Sequence, residues 1–410
     1  MPLHLVSAGE SHGSAIVAIL SGVPAGVPLA REELSRQLAR RSRLAGRSAR
    51  MRLERDDFQV LGGLRYGKTT GNPLAFVIPN AEAEAWAEIL APFGAPVAEP
   101  LTAPRPGHAD LAGALKSAAL GGGRLLPADI RDVSERASAR ETVGRVLAGA
   151  VCRRMLKTLE VDIASFVFEL GKLRLPRGRL RKLLEARSMD ELPLKAIRGG
   201  RLLIPDAELT ARAMKQVNRA RKAGTTLGGG FAVMAFGAVA GLGSFAQAVY
   251  RLDGRLARAM SSIPGVKAVG FGQSLWACAL DGRDYQDVIV RDGDTVSMAT
   301  SRDGGLAGGV TTGMPIVLWA LMKPLPTQRP PLPTVDLRTG KPASSARQRA
   351  DVTAVPVAAI IAEAEMAMVL ADAVLAEFGG SHISVLRERV LLHRKRLAGL
   401  FAKEKEERRK

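Results

Sequence analysis

The feature that most constrains this fold is the run 357–378, which would be long and apolar enough to cross a membrane were it not for Glu363, Glu365 and Asp372 inside it. Carboxylates in a span carry a heavy desolvation cost, so the segment is expected as a buried amphipathic helix and not as a membrane crossing. A helix of that kind needs a large apolar domain around it. The chain supplies one, with 47% hydrophobic residues over 410 positions, which also excludes disorder for most of its length. No repeat period and no clear linker interrupts it. The expectation is an α/β chain of mixed α+β type: a single large domain over 1–395, with a layered sheet and helix core, then a charged tail over 396–410 that frays from 403 onward.

Short apolar runs punctuated by Gly and Pro predict strands over 14–20, 74–78, 161–168, 231–236, 266–271 and 315–322. Helices are expected over 28–40 and 247–262. A third is expected from Ser138, where Ser138 and Glu141 have the spacing of a capping box and aim free amides into the motif region. The stretch 80–104 reads as a loop or surface insertion, and the Pro-rich stretch to Pro333 as an extended crossing or lid. Cys152 falls in a helical pattern and Cys278 in an alternating one. Two cysteines make neither a disulfide framework nor a metal cluster, so a reducing compartment and no metal are expected. The first residues do not form a targeting peptide, which makes the cytoplasm the expected location.

Two of the five histidines lie in glycine-flanked loops, Gly9-Glu10-Ser11-His12-Gly13 and Arg105-Pro106-Gly107-His108-Ala109-Asp110. A sharp turn presents a side chain to a ligand, and imidazole titrates near neutrality, so the pair suits acid/base chemistry. Arginines crowd both loops: Arg40, Arg41, Arg43, Arg47, Arg50 and Arg52 after the first, and Arg124, Arg131, Arg136 and Arg140 with Lys116 after the second. Guanidinium groups hold phosphate or carboxylate bidentately, which points to a small polyanion. The formal charge of +19 also allows nucleic acid. Against that, aromatics are only 4%, no zinc-finger or aromatic RNA-binding motif is present, and the basic residues interleave with acids.

Gly9-Glu10-Ser11-His12-Gly13 also has the G-x-S-x-G form of a hydrolase nucleophile elbow, with Ser11 as nucleophile and Asp351 and His382 following in order. Eight residues upstream cannot supply the strands that such an elbow needs. The glycine clusters 121–123, 228–230 and 304–309 lack the Gly-Lys-Ser/Thr of a phosphate loop and the dinucleotide fingerprint, and tight turns explain them as well.

In order along the chain, the two histidine motifs, Arg136-Ala137-Ser138-Ala139-Arg140-Glu141-Thr142, Gly304-Gly305-Leu306-Ala307-Gly308-Gly309, Lys323-Pro324-Leu325-Pro326-Thr327 and Gln348-Arg349-Ala350-Asp351-Val352-Thr353-Ala354-Val355-Pro356 resemble the successive signatures of chorismate synthases. The resemblance runs to about residue 380. It implies a lyase of the shikimate pathway that uses reduced FMN to convert 5-enolpyruvylshikimate 3-phosphate to chorismate, losing phosphate and a ring hydrogen in 1,4-anti fashion without net redox change. It further implies a homotetramer. By the same resemblance His108 is the acid for the leaving phosphate, His12 keeps the reduced flavin in its protonation state, and Asp351 helps remove the ring proton. Arg41 and Arg47 match positions for substrate or nicotinamide phosphate. Arg136, Ala137, Ser138, Gly308, Lys323, Pro324, Leu325, Pro326, Thr327 and Arg349 match the flavin-binding stretches.

The chain departs from the family where Arg41 is followed by Ser42-Arg43-Leu44-Ala45, at Pro264-Gly265, where an amide-bearing residue and Ala are usual, and at Thr225, where an acid is common. The segment 116–129 is longer than usual. With no reductase domain or nucleotide fingerprint, an external flavin reductase is the expected source of electrons, with NADPH as a possible reductant. A serine hydrolase, a basic nucleic-acid-binding protein and an inactive paralogue that keeps flavin are the alternatives.

Overall fold

The computed structural model of the chain describes residues 2–47, 56–118, 129–345 and 351–401. Arg50, Arg52, Arg124, Arg349, the glycine cluster 121–123 and the tail from 402 lie outside the described residues.

The chain builds two antiparallel sheets with two long helices between them. The first sheet has the order β1 (His4–Ala8), β2 (Ala15–Ser21), β4 (Leu74–Pro79), β3 (Gln59–Gly62). The second sheet is formed by β5 (Asp162–Leu170), β6 (Leu173–Arg174), β7 (Gly229–Phe236), β8 (Val266–Phe271) and β11 (Ile316–Met322), in the order β8-β11-β7-β5-β6. Two small hairpins, β9 (Leu306–Ala307) with β10 (Val310–Thr311) and β12 (Pro333–Val335) with β13 (Pro342–Ser344), stand outside these sheets.

Seven helices matter for the site: α1 (Arg31–Ser42), α2 (Ala83–Trp86), α3 (Asp110–Ala118), α4 (Arg131–Arg136), α5 (Thr142–Lys157), α6 (Leu252–Ser261) and α7 (Val355–Phe378). Helix α5 packs on β1, β2 and β4, while α7 packs on β5 and β7, and the two helices pack on each other. The layers therefore run sheet, helix, helix, sheet. Gly149 makes the helix seam possible, because a Cβ there would lie 2.3 Å from the Ala364 Cβ.

Helix α7 is less amphipathic than its acids suggest, since every residue from Val355 to Ala367 is buried. Glu363 survives there because Arg40, Arg153 and Ser165 surround its carboxylate. Arg40 Nη2 donates to Oε1 at 2.9 Å, Ser165 Oγ donates to Oε1 at 2.8 Å, and Arg153 ion-pairs with Oε2. Burial works to raise this carboxyl, but the Arg40 and Arg153 charges outweigh it and hold it down at about 2. No helix among the described residues is long and apolar enough to cross a membrane.

The expected strands are present to within two residues at each end, and the helix expected over 28–40 is α1. The helix expected over 247–262 divides into a 3-10 turn, Ala248–Tyr250, and α6, broken at Arg251, where the backbone is extended. The capping box at Ser138 and Glu141 opens a 3-10 turn, Ala139–Glu141, and not α5 itself. Ser138 Oγ accepts from the Arg140 amide at 3.3 Å, and the Glu141 carboxylate turns away to Arg145 at 3.0 Å. Cys278 does not alternate in a strand; it closes a short helix, Ser274–Ala277, and is exposed, whereas Cys152 is buried in α5. The helix that starts at Ile383 runs to Ala398, past the expected start of the tail.

Candidate active site

His12 lies in the hairpin loop between β1 and β2. The loop can turn there because Gly9 takes φ +111°, at a point where a Cβ would come within 2.2 Å of the Ala15 carbonyl oxygen. Glu135, at the end of α4, holds the histidine from two sides. Its Oε2 accepts from the His12 backbone N–H at 2.9 Å, and its Oε1 is 2.8 Å from Nδ1. Trp86 of α2 stacks on the imidazole, centroids 4.2 Å apart at 19°, and Glu82 lies 4.0 Å from Nε2. The rest of the loop is tied down by Asn80, whose Nδ2 donates to the Gly13 carbonyl at 2.7 Å while its Oδ1 accepts from Arg140 Nε at 2.7 Å.

His108 occupies a second turn, with Gly107 at φ +80° and the His108 N–H donating to the Arg105 carbonyl at 3.1 Å. Its Nδ1 is 2.6 Å from Oδ1 of Asp110, the first residue of α3, which is only 1% exposed. Arg105 fastens the same carboxylate, Nε to Oδ2 at 2.8 Å and Nη2 to Oδ1 at 3.0 Å. Burial favours the neutral Asp110, but the hydrogen bonds from His108 and Arg105 outweigh it and keep the carboxyl well below the ordinary range. Arg105 Nη2 also donates to Ser134 Oγ at 2.7 Å. Successive residues of α4, Ser134 and Glu135, thus moor both histidine loops.

A third group gathers at the end of α1. Arg41, 2% exposed, donates through Nη1 to Asp56 at 3.1 Å and through Nη2 to the Ala139 carbonyl at 3.2 Å; its Nε is buried with no hydrogen-bond partner among the described residues. Arg140 also ion-pairs with Asp56. Burial would raise the Asp56 carboxyl, but Arg41, Arg140 and Arg47 together hold it below its usual value. Arg47 Nη1 donates to the Arg41 carbonyl at 3.1 Å, and its Nε stands 3.9 Å from Asp351 Oδ2. The close approach is set by the backbone: the Val352 N–H donates to the Gly46 carbonyl at 2.6 Å, and a Cβ on Gly46 would meet Thr353 at 2.5 Å. The unusual residues after Arg41 therefore still bring Arg47 to Asp351.

The other expected site residues fall around these groups. Ser138 Oγ is 2.9 Å from Ser11 Oγ. Arg136 donates to the Ser7 carbonyl at 2.8 Å and the Gly9 carbonyl at 3.1 Å, so its guanidinium braces the His12 loop. Lys323 Nζ donates to the Gly107 carbonyl at 2.5 Å, and a Cβ on Gly107 would lie 3.6 Å from Pro326, which places Lys323-Pro324-Leu325-Pro326-Thr327 beside the His108 turn. Thr226 Oγ1 anchors that stretch by donating to the Leu325 carbonyl at 2.7 Å. Gly308 is at the tip of the β9–β10 hairpin, whose Val310 pairs with Gly243 and whose Gly309 carbonyl accepts from the Leu252 N–H at 2.9 Å. Arg136 and Ala137, with Pro264, line an open cleft of about 740 Å³ that neither histidine reaches.

Sequence reasoning missed Glu135, Asp56, Asn80 and the part played by Asp110. Asp110 stands two residues from His108 and could have been found as an acid beside a base. Glu135 and Asn80 meet the His12 loop across 123 and 67 or more residues, for which the sequence carries no local signal. The nucleophile-elbow alternative is overturned by the geometry. β1 is an antiparallel edge strand, Ser11 faces Ser138, Asp351 faces Arg47, and His382 caps a helix through Ser384. The cluster Gly228-Gly229-Gly230 serves packing, since Cβ atoms at Gly229 and Gly230 would meet the Glu169 carbonyl at 2.1 Å and the Phe168 ring at 2.4 Å.

Two histidines held by carboxylates, with arginines beside them, make up the kind of site at which an enzyme can carry out acid/base chemistry on a small molecule. The sequence profile described as chorismate synthase matches residues 3–375. A chorismate synthase of Moorella thermoacetica is 43% identical over 397 residues, covering 96% of this chain and 99% of the relative, and one of Rubrobacter xylanophilus is 44% identical over 384 residues, covering 93% and 94%. A crystal structure of chorismate synthase superposes with a TM-score of 0.77 at 31% identity, covering 97% of this chain and 99% of the other. The chain belongs to the chorismate synthase family, and it is accordingly a lyase of aromatic amino-acid biosynthesis.

Proposed function

We propose that this chain, with 1–395 as its catalytic unit, converts 5-enolpyruvylshikimate 3-phosphate to chorismate with reduced FMN bound. The observation that carries the reading is the assembly of His12, His108 and the Arg41–Arg47–Asp351 group on loops tied to one another through α4 and Arg140. What supports a flavin phosphate is that Lys323 is a cation at the His108 turn and that Gly308 has open space where a Cβ would stand. Arg136, Ala137, Ser138, Gly308, Lys323 to Thr327 and Arg349 would hold the FMN. In its reduced form the bound FMN would supply transient electron donation that is returned within each turnover, so the elimination would need no net oxidant.

The protein's own groups then divide the work. Arg41 and Arg47 hold the anionic substrate, and the same cations suit a nicotinamide phosphate. His108 delivers the proton at Nε2 to the phosphate as its C–O bond breaks, since the leaving oxygen gains charge. Asp351 accepts the ring proton at its carboxylate, and the new ring double bond takes up the electrons of the broken C–H bond. His12, with Nδ1 on Glu135, holds a proton on the flavin side. Reduced flavin is supplied by a separate reductase, with NADPH as the ultimate donor, to a cytoplasmic homotetramer with no nucleic-acid or membrane partner. An oxygen-free assay with reduced FMN and the enolpyruvyl substrate tests the reading. Release of phosphate with chorismate is expected, and absence of both overturns it.

A further inference from the structure

The geometry around the second histidine points to Asp110 as a positioning residue that commits Nδ1–H of His108 and leaves Nε2 as its only exchangeable site toward substrate. The inference rests on the reading of His108 as proton donor. Asp110 Oδ1 lies 2.6 Å from Nδ1, and the carboxylate is buried to 1% exposure. Which atom carries the proton follows from the neighbours. Arg105 Nη2 has two hydrogens, and two acceptors claim them, Asp110 Oδ1 at 3.0 Å and Ser134 Oγ at 2.7 Å. The same nitrogen lies 3.0 Å from Nδ1 and 3.4 Å from Nε2 of His108. An atom that near to both ring nitrogens stands over the ring face, off the line of either lone pair, and the short contact of Nδ1 is the one to Asp110 Oδ1 at 2.6 Å. Nδ1 must therefore donate to Asp110, and Asp110 stays ionised because Arg105 fastens both of its oxygens.

Asp110→Asn should reverse this arrangement. The amide oxygen is held at the Oδ2 position, where the Arg105 backbone N–H at 3.0 Å and Nε at 2.8 Å both donate. The amide NH2 then faces Nδ1, which can only accept, and the ring proton moves to Nε2. Nε2 then donates only as part of a neutral imidazole, a far weaker acid than the doubly protonated ring that a carboxylate on Nδ1 allows, so proton delivery to the phosphate fails even though the ring is held.

The test is ring nitrogen NMR of the full chain above the ordinary histidine titration range, with His108→Gln identifying the His108 signals. The native ring should carry its proton on Nδ1, and Asp110→Asn should move it to Nε2. In the oxygen-free assay the variant should lose about a hundredfold in kcat with KM changed less than threefold, as expected when acid/base catalysis is lost without substrate binding. A native ring protonated at Nε2 overturns the inference without recourse to any variant, which covers the case where Asp110→Asn fails to fold. An unshifted ring, or native kcat, in a folded Asp110→Asn also overturns it. The ring measurement does not depend on turnover, so a native tautomer as stated in a protein that forms no chorismate would leave Asp110 in place and remove the proposed reaction.

Discussion

At the scale of single residues, the arrangement separates what touches the substrate from what holds it. His108→Ala and Asp351→Ala should each leave the fold intact and flavin bound, yet lower turnover by roughly a hundredfold or more, as positioned acid/base groups contribute. Circular dichroism and flavin titration alongside the assay check this, and native turnover in both would remove them from the mechanism. Ser11 and His12 give a sharper comparison. Ser11 has a hydroxyl partner in Ser138 at 2.9 Å, so Ser11→Ala removes one hydrogen bond, worth about 1 kcal/mol, and should retain measurable phosphate release. His12→Ala empties the pocket between Glu135 and Trp86 and should be the more damaging change; the reverse order would remove His12 from the proposed mechanism. Both histidines stood out in the sequence because glycine flanks them and few others exist. Their carboxylates did not, because Glu135 reaches His12 across 123 residues and no period or spacing encodes such a pairing.

At the scale of elements, Glu363 shows how α7 carries charge through the core. Its carboxyl is 2% exposed and sits between Arg40 of α1, Arg153 of α5 and Ser165 of β5. Removing one member of a buried ion-pair network typically costs about 3–5 kcal/mol, because the partner charges remain buried, and Glu363→Gln should lose stability in that range by denaturant unfolding. The pH dependence has a definite sign. Folding depresses this carboxyl to about 2 from 4.5, so its contribution is complete above about 4.5 and is lost as pH falls from there toward 2. Acid unfolding of the native chain should therefore be steeper in that window than that of Glu363→Gln. The run 357–378 was readable as a buried helix from its length and its acids, but not as one whose first half is buried on every side, because the partners of Glu363 come from three separate segments. The capping signal at Ser138 was real and misplaced by one turn: Glu141 prefers the Arg145 guanidinium at 3.0 Å to closing the box.

At the scale of the whole molecule, a Pro-rich stretch, Lys323 to Pro333, runs from the His108 turn toward the β12–β13 hairpin, which is fastened to 102–104 by Thr334 Oγ1 donating to the Pro104 carbonyl at 2.8 Å. Substrate and flavin should close this region together, so FMN should bind more tightly with the enolpyruvyl substrate present than alone. Flavin fluorescence titration measures it; equal affinities would count against closure, and no FMN binding in either condition would remove the cofactor from the reading. The α+β class and the single core were readable from composition and periodicity. The four-layer order was not, since it depends on Gly149 letting α5 and α7 meet, a contact that joins residues far apart in the chain. The mooring of both histidine loops to Ser134 and Glu135 has a consequence for how variants of this chain will be read. A substitution that displaces α4 is one change in the gene but two in the chemistry, because it dislodges the proton sites at His12 and His108 at once. Its kinetics will look like those of a double mutant, and adding a histidine replacement on top of it will cost far less than that replacement costs alone.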